Sequence, residues 1–232
     1  MSDHLTPLEL GDDALLAAQR LAEWAARAPT MEEDVALANI ALDQLGAARL
    51  LLSLAGDSLG QSEDELAYLR DATQFRNCQL VELPNGPSRG DLDFGWTIVK
   101  LLLLSAAQLQ SYERLASAGG PLGEIAAKTV KESAYHFDHA RLWTIRLGDG
   151  TPESRQRTQS AVDRLWAYTY DLCEDRAAWR ATVAGVLQEA TLKVPADNGR
   201  REGGRGGSHT EHLTYLLGEM QVLHRAHPGA KW

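Results

Sequence analysis

The sequence predicts an all-α protein. Three observations carry this. Strand-like alternation is nearly absent, apolar residues recur at helical spacing along almost the whole chain, and Ser, Thr, Asp, Gly and Pro punctuate those runs where helices begin and end. A chain of 232 residues, 44% of them apolar, can bury a sizeable core as one domain. The expected organisation is a single domain over 1–232, with a core bundle over about 12–148 and a helical extension over about 151–232.

The first helix is expected from about Asp12 to Ala28. Asp12 is placed as N-cap, Pro29 as the stop, and Leu15, Leu16, Leu21, Trp24 and Ala25 share one broad face. Thr30-Met31-Glu32-Glu33 reads as a capping box, in which hydroxyl and carboxylate each satisfy an orphan backbone N–H. The helix it opens runs to about Ala55 and ends at Gly56 in the left-handed conformation. It is apolar almost all round (Val35, Leu37, Ile40, Leu42, Leu45, Leu50, Leu51, Leu52), as the centre of a bundle would be. A shorter polar helix is expected from about Glu63 to Leu80, then a loop at Pro84-Asn85-Gly86-Pro87. Helices follow over about Leu92–Ser117 and, from Pro121, to about Leu147 with Gly148 as the stop. Two helices, a long connection and two more helices make the ferritin-like arrangement with one crossover. The expected fold is therefore a ferritin-like four-helix bundle with additional C-terminal helices. Thr151-Pro152 opens a fifth long helix whose bulky face carries Leu165, Trp166, Tyr168, Thr169, Tyr170 and Leu172, and a sixth spans about Arg176–Leu192. Pro195–Gly207 is too rich in Gly and Arg to form a core and is expected to be a mobile loop. Ser208-His209-Thr210-Glu211 reads as another capping box, for a helix to about Arg225.

A net charge of −9 argues against nucleic-acid or anionic-membrane partners, which select basic surfaces. Cys78 and Cys173 are too few and too far apart for a disulfide scaffold, as expected of a reduced, cytoplasmic protein. Met1 to Asp13 holds no basic stretch followed by an apolar core, so no signal peptide is expected. The apolar run Leu101–Ala107 is far too short to span a bilayer.

A diiron bundle carries Glu-x-x-His on each of two helices and a lone Glu on each of two others. Here the first pair of positions holds Gln44 and Ala47, with Asp43 beside them, and the second holds Ser133 and His136, with Glu132 beside them. A single plausible ligand, His136, survives. An amide and a methyl compensate poorly for the charge of two irons, so His136 is read as a hydrogen-bonded residue inside the bundle. The alternative is a remodelled metal site around Glu132, His136 and Asp43. His209, Glu211 and His212 also cluster, but the capping box explains Glu211 and the first turn of a helix exposes the histidines. Arg200, Arg201 and Arg205 could clamp a phosphate, such as that of a coenzyme A, or an acidic partner, against a default of a solvated loop. Trp143, Trp166, Tyr168, Tyr170 and Trp179 read as core, with Trp24 and Trp96 ambiguous between core and interface. No catalytic and no cofactor-binding residues are identified; nucleotide-binding and nucleophile motifs are absent.

Colinear stretches point to one family: Arg20-Leu21-Ala22-Glu23-Trp24 with Ala28-Pro29; Asp34 to Arg49; Arg70-Asp71 to Phe75; and Glu82 to Gly86. They continue with Lys131-Glu132, Tyr135-His136, Arg146-Leu147-Gly148, Gly150-Thr151, Leu165-Trp166, Glu189 to Pro195, His209 to Leu213 and Glu219-Met220-Gln221. In this order they make the chain, from Leu10 to Trp232, resemble the PaaC family of the bacterial phenylacetyl-CoA oxygenase, or ring 1,2-phenylacetyl-CoA epoxidase. The resemblance implies a structural, non-catalytic subunit of a multicomponent oxygenase in aerobic phenylacetate catabolism. Its partners would be a catalytic diiron paralogue (PaaA) and the other subunits of the complex, among them a reductase. No cofactor is expected on this chain; diiron and NADPH, flavin and iron–sulfur groups belong to partner subunits. Gln44, Ala47, Ser133 and His136 are then vestigial diiron-site positions. Self-association is also expected, through an apolar helix face.

Overall fold

The computed structural model describes residues 5–197 and 199–230. The extreme ends of the expected 1–232 domain, Trp232 at the end of the resemblance, and Asn198 in the Gly-rich stretch lie outside the described residues. The described residues form nine α-helices and no strand. Four long helices make a ferritin-like bundle: α1 (Pro7–Ala22), α2 (Met31–Leu59), α5 (Phe94–Ala118) and α6 (Gly120–Gly148). α1 pairs most extensively with α2, α5 with α6, and α2 closes the bundle against α6. Between the pairs lie α3 (Glu63–Tyr68) and α4 (Gln79–Glu82); α7 (Pro152–Leu165), α8 (Arg176–Glu189) and α9 (Glu211–Ala226) follow. α7 and α8 pack on α5 and α6, while α9 lies on α3 and α4.

Several boundaries differ from those the sequence predicts, and each for an identifiable reason. α1 starts at Thr6, whose side chain and that of Glu9 form a capping box. Asp12 is not a cap: it lies inside the helix, fully buried, paired with Arg70. α1 also ends early, at Ala22, and Ala26 takes a left-handed φ of 61° with its N–H donated to Asp34. At α2 only half of the expected capping box forms, Glu33 N–H to Thr30 Oγ1, because the Glu33 carboxylate turns to His139. The left-handed stop is Gly60 (φ 68°), not Gly56. Gly56 lies inside the helix, where a Cβ would sit 2.2 Å from the Gln61 carbonyl oxygen, so the close approach of that turn requires glycine.

The predicted helix Glu63–Leu80 is broken. After α3 come a 3-10 turn at Ala72–Gln74 and an extended stretch to α4. Its backbone donors are taken by α1 carboxylates: Arg76 N–H goes to Asp12 at 2.8 Å and Cys78 N–H to Asp13 at 2.7 Å. Likewise α7 stops at Leu165 and a 3-10 turn holds Trp166–Tyr168, so Tyr170 and Leu172 belong to no helix. Trp166 and Trp179 do fill the core, their rings 5.3 Å apart, as do Trp24 and Trp96; Trp143, Tyr168 and Tyr170 are only half-buried.

α2 is less buried than its composition suggests. Leu37, Ile40, Leu51 and Leu52 face the core, but Val35, Leu42, Leu45 and Leu50 are exposed. By length and composition alone α2 could cross a membrane, with mean hydropathy 1.4 over its most apolar window, 44% of it buried. A core helix with one face against α1 and α6 has the same composition.

Candidate functional site

The residues singled out by spacing meet in the bundle interior, where α2, α5 and α6 converge. Gln44 (α2) and Gln108 (α5) are both buried and exchange amide hydrogen bonds: Gln44 Nε2 donates to Gln108 Oε1 at 2.7 Å, and Gln108 Nε2 to Gln44 Oε1 at 3.0 Å. The second Gln44 amide hydrogen faces His136 Nδ1 on α6 at 3.4 Å. His136 Nε2 lies 3.0 Å from Asp43 Oδ2. These contacts define one tautomer, with Nδ1 accepting and the proton on Nε2 donated to Asp43. Burial pulls the His136 pKa down, the Asp43 hydrogen bond and charge pull it up, and the net direction is down, so the ring is neutral near pH 7. The result is a continuous chain, Gln108–Gln44–His136–Asp43, running from the bundle axis to a partly exposed carboxylate.

Ala47 and Ser133 are buried beside this chain, and Ala47 offers only a methyl. Glu132 is exposed; partial desolvation and, second, the Asp43 charge push its carboxyl up. One turn further along α6, His139 Nε2 stands 3.3 Å from Glu33 Oε2, with both side chains largely buried. Each of these two α6 histidines thus faces one α2 carboxylate.

These donors do not fit a diiron centre. Four bridging or terminal carboxylates and two imidazoles are needed. What converges is two carboxamides satisfied by each other, one imidazole with both nitrogens engaged, a single carboxylate, Asp43, already bonded to that imidazole, a hydroxyl and a methyl. Among the described residues no three His, Cys, Asp or Glu side chains converge as ligands. The arrangement can brace three helices, and Gln44→Ala tests that. It would leave the Gln108 amide and His136 Nδ1 buried without partners, a loss of about 2–4 kcal/mol by urea denaturation. A loss below about 0.5 kcal/mol would show the chain to be dispensable.

Gln108 is the residue that motif reading misses, because α5 carries no ligand motif. The available signal is periodicity: Gln108 falls on the face of Leu101, Leu104 and Leu115, a polar residue at a core position.

The other candidates are placed differently from expectation. His209 is not exposed in a first turn. Its side chain is 5% exposed, with Nδ1 2.6 Å from Glu82 Oε1 and Nε2 3.1 Å from the Phe75 carbonyl oxygen. Nor does Ser208 cap the last helix. The N-cap is Thr210, whose N–H and hydroxyl both donate to the buried Glu82 carboxylate, at 2.7 and 2.6 Å. His212 is half-buried and Glu211 exposed. The three arginines of the Gly-rich stretch do not form one clamp. Arg200 pairs with Glu202 and lies over the Tyr170 ring. Arg201 anchors through its backbone N–H to Ala167. Arg205 is largely covered, its side chain 15% exposed and its guanidinium 2.6 Å from Asp13 Oδ2. Gly204 presses so closely on Asn77 that a Cβ would lie 2.1 Å from its carbonyl oxygen. The segment around Gly204–Gly206 is a packed plug, not a mobile loop.

The model of a family described as phenylacetic acid catabolic protein matches residues 5–177 and 174–232 of the chain. Over 246 aligned residues the chain is 42% identical to the C subunit of the 1,2-phenylacetyl-CoA epoxidase of Escherichia coli (strain K12), and the match covers 97% of each chain.

Proposed function

Because the chain belongs to the phenylacetic acid catabolic protein family, we propose that it is the structural, non-catalytic subunit of a phenylacetyl-CoA epoxidase, docking with and stabilising a catalytic diiron subunit. The observation that supports this reading is the neutral amide–amide–imidazole chain of Gln108, Gln44 and His136, in which Gln44 and His136 are the residues the sequence spacing sets at ligand positions. Gln44, Ala47, Ser133 and His136 are read as vestigial diiron-site positions. A large apolar helix face supports a docking role, since monomeric proteins rarely leave such a face open. The other subunits of the complex would supply the iron, the electrons and the CoA-ester site, in the cytoplasm.

The second reading, a remodelled metal site, rests on the Asp43–His136 contact with Glu132 near it. One measurement separates the two. The purified chain is loaded aerobically with Fe(II), desalted and analysed for iron. The expected result is near-zero iron per chain, with epoxidation by the remaining subunits dependent on adding this one. Stoichiometric iron that is lost in His136→Ala would establish the second reading, and unchanged epoxidation without this chain would overturn the first.

A further inference from the structure

The Glu82–His209 contact at the head of α9 holds more protons than a neutral histidine can supply. His209 Nε2 lies 3.1 Å from the Phe75 carbonyl oxygen, which can only accept, so Nε2 carries a proton. Nδ1 lies 2.6 Å from Glu82 Oε1. An imidazole with its one proton on Nε2 would turn a bare lone pair on that oxygen. A second proton must therefore lie between Nδ1 and Oε1. Oε1 also accepts from Asn77 Nδ2 at 2.9 Å, while Oε2 accepts the Thr210 N–H at 2.7 Å and the Thr210 hydroxyl at 2.6 Å. Four donors on two oxygens fill the acceptor capacity of a carboxylate. The arrangement is an imidazolium on a carboxylate, with the Glu82 side chain fully buried. Among the described residues no Lys or Arg side chain is bonded to that carboxylate, so His209 is the cation that compensates it.

The pair stands where α9 enters the fold. Thr210 is the N-cap of α9, yet its hydroxyl is spent on Glu82 and makes no bond to the helix's own N–H groups. The helix is thus held at its head by Glu82, and along its length by Leu213, Leu216 and Leu217 packed towards α3 and α4. The other charged groups around the pair come from four places. Arg76, before α4, donates to the same Phe75 carbonyl at 2.7 Å, and Arg20 of α1 donates to the Glu82 backbone carbonyl. Glu211 and His212 lie on α9 itself, with Arg89 of the loop before α5 in electrostatic range of His212. Removing the shared proton would leave two acceptors 2.6 Å apart in the interior, and the head of α9 would have to move away. We propose that the proton shared by Glu82 and His209 is the latch of α9, closing the helix onto α3 and α4 when present and releasing it when lost. α9 also carries Met220, which lines one groove with Leu42 and Leu45 of α2, so release would take down part of that wall. The proposal does not depend on the role given above, because it needs only this chain.

The test uses the full-length protein with nitrogen-15 in its histidine rings. The His209 signals are assigned by their loss in His209→Gln. Both ring nitrogens are expected to carry protons at about pH 8, where an ordinary imidazole is neutral. A single protonated nitrogen overturns the proposal, and the wild-type spectrum decides this whatever the variants do. The latch is read by hydrogen exchange of the α9 amides, corrected for the intrinsic rate. Glu82→Gln keeps the shape and removes the charge. Asn77 can turn its amide to accept from the new NH2 group, because its Oδ1 is buried without a partner. The expected result is a His209 with one protonated nitrogen and α9 protection lower by about tenfold or more. His209→Gln, which keeps a donor and removes the cation, is expected to show the same loss and serves if Glu82→Gln does not fold. Protection unchanged in the folded variant overturns the latch. So does a wild type that loses the second ring proton as pH rises while α9 stays protected.

Discussion

Replacing Arg70 by alanine is expected to lower the unfolding free energy by about 3–5 kcal/mol, among the largest effects available outside the apolar core. Its side chain is 6% exposed and that of Asp12, which it grips with two nitrogens, is fully buried. The same guanidinium donates to the Leu66 and Gln74 carbonyls and lies 4.1 Å above the Phe75 ring. Truncation would leave the Asp12 carboxylate in the interior with one remaining donor, the Arg76 N–H. Burial is the dominant influence on Asp12 and already pushes its carboxyl up, against the pull of Arg70. A buried carboxylate stripped of its cation is the costly state, whereas an apolar pair in the same space is not. The double variant Asp12→Leu with Arg70→Met is therefore expected to recover most of the loss. Urea denaturation of wild type and the two variants measures this. A loss under about 1 kcal/mol for Arg70→Ala would show that solvent reaches Asp12.

That ion pair also shows where the sequence stops being informative. The long helices were legible because their signals are local. Thr151-Pro152 opens α7 and Gly119 follows the end of α5, both as their local signals predict. The stretch between Glu63 and Leu80 has helical periodicity too, yet it breaks where Asp12 and Asp13, far earlier in the chain, take its backbone donors. Nothing in a local window shows that. Gly203 to Gly207 failed for the opposite reason. Their composition reads as flexible, but Gly204 is small so that the loop can touch Asn77, and Arg205 reaches through to α1. In the candidate site, Gln44 and His136 were legible from ligand spacing. Gln108 was not, because its meaning depends on which helix face α5 turns to α2. Exposure of one side of α2 likewise required the fold, since an all-round apolar helix and a half-covered one have the same composition.

Arg205→Met is the second large effect, expected to cost about 3–5 kcal/mol and to open the Gly-rich segment to proteolysis. Arg205 joins three parts of the chain: α1, through Asp13 at 2.6 Å and the Glu9 carbonyl at 3.1 Å, the stretch before α4 through the Arg76 carbonyl at 3.0 Å, and the α7–α8 connection through the Asp171 carbonyl at 3.2 Å. Methionine keeps the apolar stem but leaves Asp13 without its cation. Asp171 sharpens the test, because both its carboxylate oxygens are buried and no side chain donates to them. Burial raises its carboxyl to about 6, with Asp13 adding to the rise and Arg205 and the nearby Gln79 and Asp171 backbone N–H groups opposing it. A folded pKa above the unfolded value means that the native state binds the proton more tightly. The stability from this group is therefore full below about pH 4 and is lost as pH rises through about 6, a fall on the order of 3 kcal/mol. Asp171→Asn should remove that part of the slope and stabilise the protein at pH 7. In Arg205→Met the opposing charge is gone, so the fall should extend above pH 6. Unfolding curves from pH 4 to 8 on the three proteins decide it: an unchanged slope in Asp171→Asn would mean that the carboxylate is solvated and the node is not the closed junction described.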